Sequence, residues 1–325
     1  MTGETFDRNY LFLAIVPALS YVIVYFVLDP LRPPALSFET IPLADFGSKA
    51  ADEAQRRYIW LSAFALLTTV SIGVAISGLV ALSRETLKKD RRLVFGLIAV
   101  VVAVVLAASQ TPELGKPWQT YLGQNLFKTI FSQVEATCFE SAHELFLIGK
   151  EVIKAAVILA LAVLAFGLVL TLKHPPARLS RVLQAKLTAA AIARQRVYLN
   201  QAALVYVFAV LAMLSWMYWP IPYLEPDSAE AYGKVLAGAA ALQGLGFTLG
   251  VAMVYLPPAF VLRSRAEALA TEILVQGGDN VQVIEDLGPL AAHPFDHLRQ
   301  VMTMVLPVIV SLLPAIYDAS KVLAK

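Results

Sequence analysis

Apolar runs of roughly 20 residues, separated by shorter polar stretches, dominate this chain, and that length matches the thickness of a bilayer rather than the two-residue rhythm of a half-buried strand. Six such runs stand out: Tyr10–Leu28, Tyr58–Leu82, Leu93–Ala108, Val152–Leu172, Val197–Trp219 and Val235–Leu262. No water reaches a peptide group inside a bilayer, so each run is expected to be helical. The chain reads as all-α: a polytopic membrane helical bundle of about six transmembrane helices, with long helical extensions and a C-terminal hydrophobic segment. Residues 1–262 would form the transmembrane domain. Glu4, Asp7 and Arg8 precede the first run where an export signal would begin basic, so that run reads as a retained helix.

Residues 263–325 follow a different pattern. Arg263–Gln276 predicts a cytoplasmic helix stopped by Gly277-Gly278, followed by an acidic linker with Pro289 and Pro294. The last apolar run, Val301–Tyr317, is about 17 residues long and is interrupted by Pro307 and Pro314, which is marginal for a span. It reads as a seventh span, a re-entrant or interfacial segment, or a helix buried in an oligomer contact. Pro257-Pro258 is expected to kink the sixth run or end it early.

Between Ala177 and Trp219 there is neither proline nor glycine. Leu179, Val182, Leu183, Leu187, Ala190 and Ala191 fall at helical steps before the apolar part begins. An unbroken helix here would measure about 65 Å, roughly twice the hydrocarbon thickness. It would project a stalk into the cytoplasm and meet the Arg263–Gln276 helix. Its basic surface is Arg178, Arg181, Lys186, Arg194 and Arg196, and its far end is the cluster Trp216, Tyr218 and Trp219.

Charge orients this reading. Lys173–Arg196 holds six basic residues and no acid, and Arg84–Arg92 holds five basic residues against two acidic ones. The loops on the other side carry 8 basic and 12 acidic residues. Lys and Arg beside a span stay cytoplasmic, which places both termini inside and suits a bacterial-type inner membrane. Such a basic rim also attracts anionic lipid headgroups. Only 15% of residues are charged and the net charge is +2, so nucleic acid is not expected as a partner. The single cysteine, Cys138, excludes an internal disulfide and a cysteine-based metal cluster.

Candidate chemistry is sparse. No ionisable residue lies near the centre of any run, which argues against ion-coupled transport and intramembrane hydrolysis. Ser71, Gly73 and Ser77 in the second run, with Gln243, Gly244, Gly246, Thr248 and Gly250 in the sixth, form either a packing seam or a polar path. Trp118–Lys150 predicts an outer amphipathic helix. On it Glu140, His143 and Glu144 share a face, a weak metal or catalytic candidate because the pattern occurs once. His293 and His297 flank Pro294 and Asp296, and read as a polar turn. Phosphate loops, nucleophile elbows and dinucleotide fingerprints are missing, and neither a cofactor nor a catalytic residue is expected. The sequence therefore favours a non-enzymatic membrane protein assembling into a homo-oligomer or complex, as a pore-forming, signalling or scaffolding component. The alternatives are a transporter of a neutral or hydrophobic solute and a membrane enzyme working at the outer surface.

Overall fold

The structure is a computed structural model and describes residues 7–16, 46–86, 88–110, 139–176, 178–275 and 299–312. Prolines and hydroxyls set the helix boundaries. α1 (Phe46–Glu85) is followed two residues later by α2 (Lys88–Gln110), and Leu79 and Leu82 of the first share one apolar cluster with Val94 and Ile98 of the second. α3 (Phe139–Leu170) unwinds ahead of Pro175-Pro176, because the residue before a proline is driven out of the helical region. α4 (Arg181–Tyr218) is opened by Ser180, whose hydroxyl accepts from the Leu183 N–H at 3.4 Å, and it ends before Pro220. A 3-10 turn, Ile221–Tyr223, leads into α5 (Pro226–Val275). Its initial proline costs nothing, since a first-turn N–H has no intrahelical acceptor. A shorter apolar helix, α6 (Arg299–Leu312), follows. Helices and turns, with no strand, account for the described residues.

Five helices, α1 to α5, are long and apolar enough to cross a membrane. They correspond to the second to sixth expected runs, the fourth and fifth of which end one or two residues beyond their helices. Of the first, Tyr10–Leu28, only the start is described: a 3-10 turn, Arg8–Tyr10, continued by a helix over 11–16. The rest lies outside the described residues.

Three boundaries depart from the pattern-based expectation. The long basic helix starts at Arg181, not Ala177, because Pro175-Pro176 and the Ser180 cap set its origin. The sixth run does not end at Pro257-Pro258. α5 continues through both prolines to Val275, so the run and the Arg263–Gln276 helix are one element of 50 residues. At most the pair deletes two interior hydrogen bonds, and the neighbouring helices hold the axis across that gap. Phe139–Lys150 of the outer helix is continuous with α3 rather than separate from it, while 118–138, including Cys138, lies outside the described residues. In the last apolar run Pro307 sits inside the helix, and residues 313–317 are not described.

α3 is the centre of the bundle. From Ala162 to Leu172 every residue is buried, the signature of a helix surrounded by others. One face meets α1, α2 and the N-terminal helix through Leu11, Ala14, Leu82, Val94, Val163 and Phe166. The other meets α4 and α5 through Ala160, Leu164, Leu168, Leu199, Val205 and Val251. If lipid surrounds these helices, expelling water adds little to their association, and close backbone approach matters more. Gly78 of α1 provides such an approach, since a Cβ there would overlap the Val163 side chain. At Gly167 of α3 a Cβ would come within 2.8 Å of the Tyr198 ring.

α4 and α5 remain paired beyond the other helices. Ala185 is buried against Ile273, with Val182 and Ala270 beside them, and Arg181 pairs with Glu272 at 3.0 Å. The two helices thus form a stalk at the basic end of the bundle, meeting where the pattern had placed it.

Candidate functional site

Polar side chains gather at the two ends of the bundle, and each gathering ties together segments distant in sequence. At the basic end, orphan carbonyls at helix C-termini attract cations. The Lys173 ammonium donates to the Glu85 carbonyl, and the Arg91 guanidinium donates to the Ser83 carbonyl. The Glu85 carboxylate pairs with Arg194 of α4 at 3.1 Å. Buried Asp90, in the first turn of α2, accepts from Arg8 at 2.9 Å. Gln195 is buried, and its amide donates to the Thr171 hydroxyl at 3.0 Å, which in turn donates to the Leu168 carbonyl at 2.6 Å.

Arg265 of α5 is the centre of this layer. Its Nη1 donates to the Leu172 carbonyl at 2.7 Å, and its Nη2 donates to the Tyr10 hydroxyl at 3.2 Å and lies 3.1 Å from His174 Nε2. The guanidinium carbon also lies 5.6 Å from the centre of the Tyr10 ring, within cation–π range. One side chain thus joins α5, the loop after α3 and the N-terminal segment. An arginine can only donate, so the contact requires His174 to be neutral with its proton on Nδ1. Burial and then the Arg265 charge hold His174 below the ordinary histidine value, with Asp7 pulling the other way.

The sign of the pH effect follows. Between the depressed folded pKa and the ordinary value of about 6.5, the unfolded chain binds more protons than the folded one. Stability is therefore expected to fall as pH drops below about 6.5, and the loss to level off once the folded histidine is protonated. Thermal unfolding in detergent between pH 7.5 and 5.5 checks this, and His174→Gln should flatten the slope. An unchanged slope in that variant would assign the effect to other groups.

At the opposite end the buried group is an acid. Glu53 of α1 accepts from Arg57 Nε at 2.6 Å and from the Trp219 indole N–H at 2.8 Å. Arg56 donates to the Tyr218 carbonyl at 3.0 Å, so α1 is fastened to the end of α4 twice. Around this point Trp60 lies 5.0 Å from Trp216, Trp216 stacks on Trp219 at 5.9 Å, and Trp219 meets Tyr223 edge-on. Tyr232, fully buried, donates to the Met217 carbonyl at 2.9 Å. Glu53→Ala leaves the Trp219 N–H without its acceptor and should cost about 1–3 kcal/mol. Glu53→Gln keeps an acceptor and should cost less. Unfolding of both variants in detergent gives the comparison, and equal losses would discount the indole contact.

The residues singled out from sequence are placed as follows. Gly244 lies under α6, where a Cβ would overlap the Ser311 hydroxyl and come within 3.0 Å of the Pro307 carbonyl oxygen. Gly250 faces the Tyr206 hydroxyl, 3.3 Å from a would-be Cβ. Gly73 and Gly246 face open space, and Ser77 is exposed with its hydroxyl donating to the Val74 carbonyl. Ser71 is fully buried, and its hydroxyl and that of half-buried Thr248 have no hydrogen-bond partner among the described residues. Gln243 is half-buried. Of the basic surface, Arg178 and Lys186 are exposed, Arg181 and Arg194 are ion-paired, and Arg196 is half-buried. Glu140, His143 and Glu144 share the first turns of α3, but their side chains lie outside the described residues, as do His293 and His297. Among the described residues no cluster of three His, Cys, Asp or Glu could hold a metal.

Sequence inspection overlooked Arg265, Gln195 and Glu53. Arg265 and Gln195 lie in polar or mixed stretches where a charge or amide is unremarkable, and Glu53 lies ahead of the apolar run. The only available signal was that Glu53 and Arg57 are four residues apart, as in a helical ion pair. No protein-family model, curated protein or solved structure matches this chain.

Proposed function

We propose that this chain is a non-enzymatic integral membrane protein, with both termini in the cytoplasm of a bacterial-type cell, that assembles into a homo-oligomer or larger complex. Within it the chain acts as a pore-forming, signalling or scaffolding component. The observation that carries this reading is the α4–α5 stalk, held together by Arg181–Glu272 and by Ala185 against Ile273. It extends two membrane-length helices into a polar, protruding surface without a break, which suits coupling a partner or signal to the bundle. The basic end meets anionic headgroups, and the aromatic end lies at the outer interface. A sixth crossing before α1 is supported by the chain's connectivity. Arg8 and Tyr10 lie at the basic end with Asp90 and Arg265, whereas α1 begins at the aromatic end with Glu53 beside Trp219.

Particle mass in nanodiscs drawn directly from native membranes tests the assembly reading. A multimer or a stable hetero-complex is expected, and a solitary monomer with no associated chain would overturn it. A second reading, transport of a neutral or hydrophobic solute, draws on the buried hydroxyl of Ser71 and the half-buried one of Thr248, which have no partner among the described residues. Solute uptake into liposomes that is lost in Thr248→Val would favour it over assembly.

A further inference from the structure

α4 runs from the aromatic end to the stalk without a break, which fixes where its outer turns stand. About 30 Å of hydrocarbon takes about 20 residues of helix. Counted inward from Ser215, beside the aromatic cluster, that length reaches Gln195. Leu187 then lies about 12 Å and Leu183 about 18 Å past the hydrocarbon edge, whereas the headgroup layer is only about 5–8 Å thick. These turns stand in water.

One face of them is nevertheless apolar and basic. Leu183, Lys186, Leu187, Ala190, Arg194 and Val197 recur at steps of three and four, and all are exposed. The opposite face carries Gln184, Ala185, Thr188 and Gln195, which are buried. No Asp or Glu lies between Lys173 and Arg196. The acids that reach this part of α4 from other helices, Glu85 and Glu272, are held by Arg194 and Arg181. Lys186, on the face itself, and Arg178, just beyond its tip, are exposed with no ionic partner among the described residues.

Charge and position decide what such a face fits. The headgroup layer stops short of Leu183. A second copy of the same face would set Lys186 and Arg194 against their own kind, and like charges oppose docking. An acidic amphipathic helix meets both conditions: its apolar stripe lies on Leu183, Leu187 and Ala190, and its flanking carboxylates face Lys186 and Arg178. The face is about 21 Å long and one helix wide, so docking would bury roughly 200 Å² of it, against about 800 Å² per partner in a stable interface. Such a contact is brief and salt-sensitive.

We propose that Leu183–Val197 of α4 is the docking face for an acidic amphipathic helix of a different protein, held through Leu183 and Leu187 and steered by Lys186 and Arg178. The proposal rests on the reading of the stalk as a cytoplasmic coupling element, and it names the kind of partner that element takes.

A synthetic helical peptide of about 18 residues, with leucines along one face flanked by glutamates, is the probe. It is titrated against the full-length chain in nanodiscs of phosphatidylcholine. Binding is expected at low salt and should weaken at least tenfold between about 0.05 M and about 0.5 M salt. Lys186→Glu with Arg178→Glu should weaken it about tenfold or more and turn the preference toward the same peptide with lysines for glutamates. Leu183→Ser with Leu187→Ser should weaken it comparably with the charge unchanged. In cells, a benzophenone side chain at position 187 should give an adduct with a different protein. That adduct should map to a segment of the stated charge and period, and should be lost in Lys186→Glu. Failure of the peptide to bind, or binding that neither pair of substitutions alters, overturns the inference. So does a cellular adduct that is absent, or that forms only with a second copy, with lipid or within one chain. None of these results touches the assembly reading, which particle mass in native nanodiscs tests separately.

Discussion

Leu187→Pro is expected to unwind the stalk while leaving the bundle inserted. Proline removes the residue 187 N–H and clashes with the carbonyl one turn earlier, at a cost of about 3 kcal/mol or more in a helix interior. The α4–α5 pairing nearest the tip, Arg181 with Glu272 and Ala185 with Ile273, lies on the far side of the break. The polar layer below it (Arg194 with Glu85, Gln195 with Thr171) lies on the near side and should persist. Local opening should rise by about two orders of magnitude. Trypsin cleavage after Arg181 in inside-out membrane vesicles would register the change, with membrane yield as the control. Leu187 is exposed, so Leu187→Ala should change little. If cleavage in the proline variant stayed at the parental level, the stalk would not be the continuous helix described.

Gly244→Leu is expected to displace α6 from the bundle. Even a methyl group there overlaps the Ser311 hydroxyl, and the Pro307 carbonyl oxygen stands 3.0 Å away. Backbone cannot swing aside as a side-chain tip can, so a larger side chain must push the whole helix outward. Overpacking of a tight site costs about 1–3 kcal/mol, comparable to what a helix of 14 residues gains from so limited a contact. Gly246→Leu, two residues on and facing open space, is the matched control and should be neutral. The readout is maleimide labelling at Ser311→Cys, which is buried in the parent and should become reactive only beside Gly244→Leu. Equal reactivity in both leucine variants would detach α6 from the argument.

Much of the fold was legible because an apolar run of bilayer length permits few structures. Tyr58–Leu82, Leu93–Ala108, Val152–Leu172, Val197–Trp219 and Val235–Leu262 each fall inside a helix of the structure, to within two residues at the ends. The stalk was legible too, since the stretch after Ser180 lacks both proline and glycine. What failed was punctuation. Pro257-Pro258 was expected to kink the helix or end it early, and of these the early end does not occur, since α5 continues past both prolines. Pro175-Pro176, which does interrupt, stands just ahead of the expected start. The polar layers were illegible for a different reason. Arg265 touches Tyr10 across 255 positions and Trp219 touches Glu53 across 166, and periodicity carries no information at that range. Composition marked Gly246 and Gly244 alike, whereas packing distinguishes them completely.

The uninterrupted α5 has a mechanical consequence. It reaches from the aromatic end, where Tyr232 is locked to Met217, to the stalk tip at Val275, a rod of about 75 Å. The adjacent prolines at 257 and 258 soften that rod about two-thirds of the way along, just short of Arg265. A bend of about 10° there would sweep the tip through roughly 4 Å while leaving the longer arm in place. Arg265 sits on the moving arm, close to the pivot, and grips the N-terminal segment and the turn after α3. α5 therefore has the proportions of a lever, with its fulcrum at the proline pair and a brake beside it.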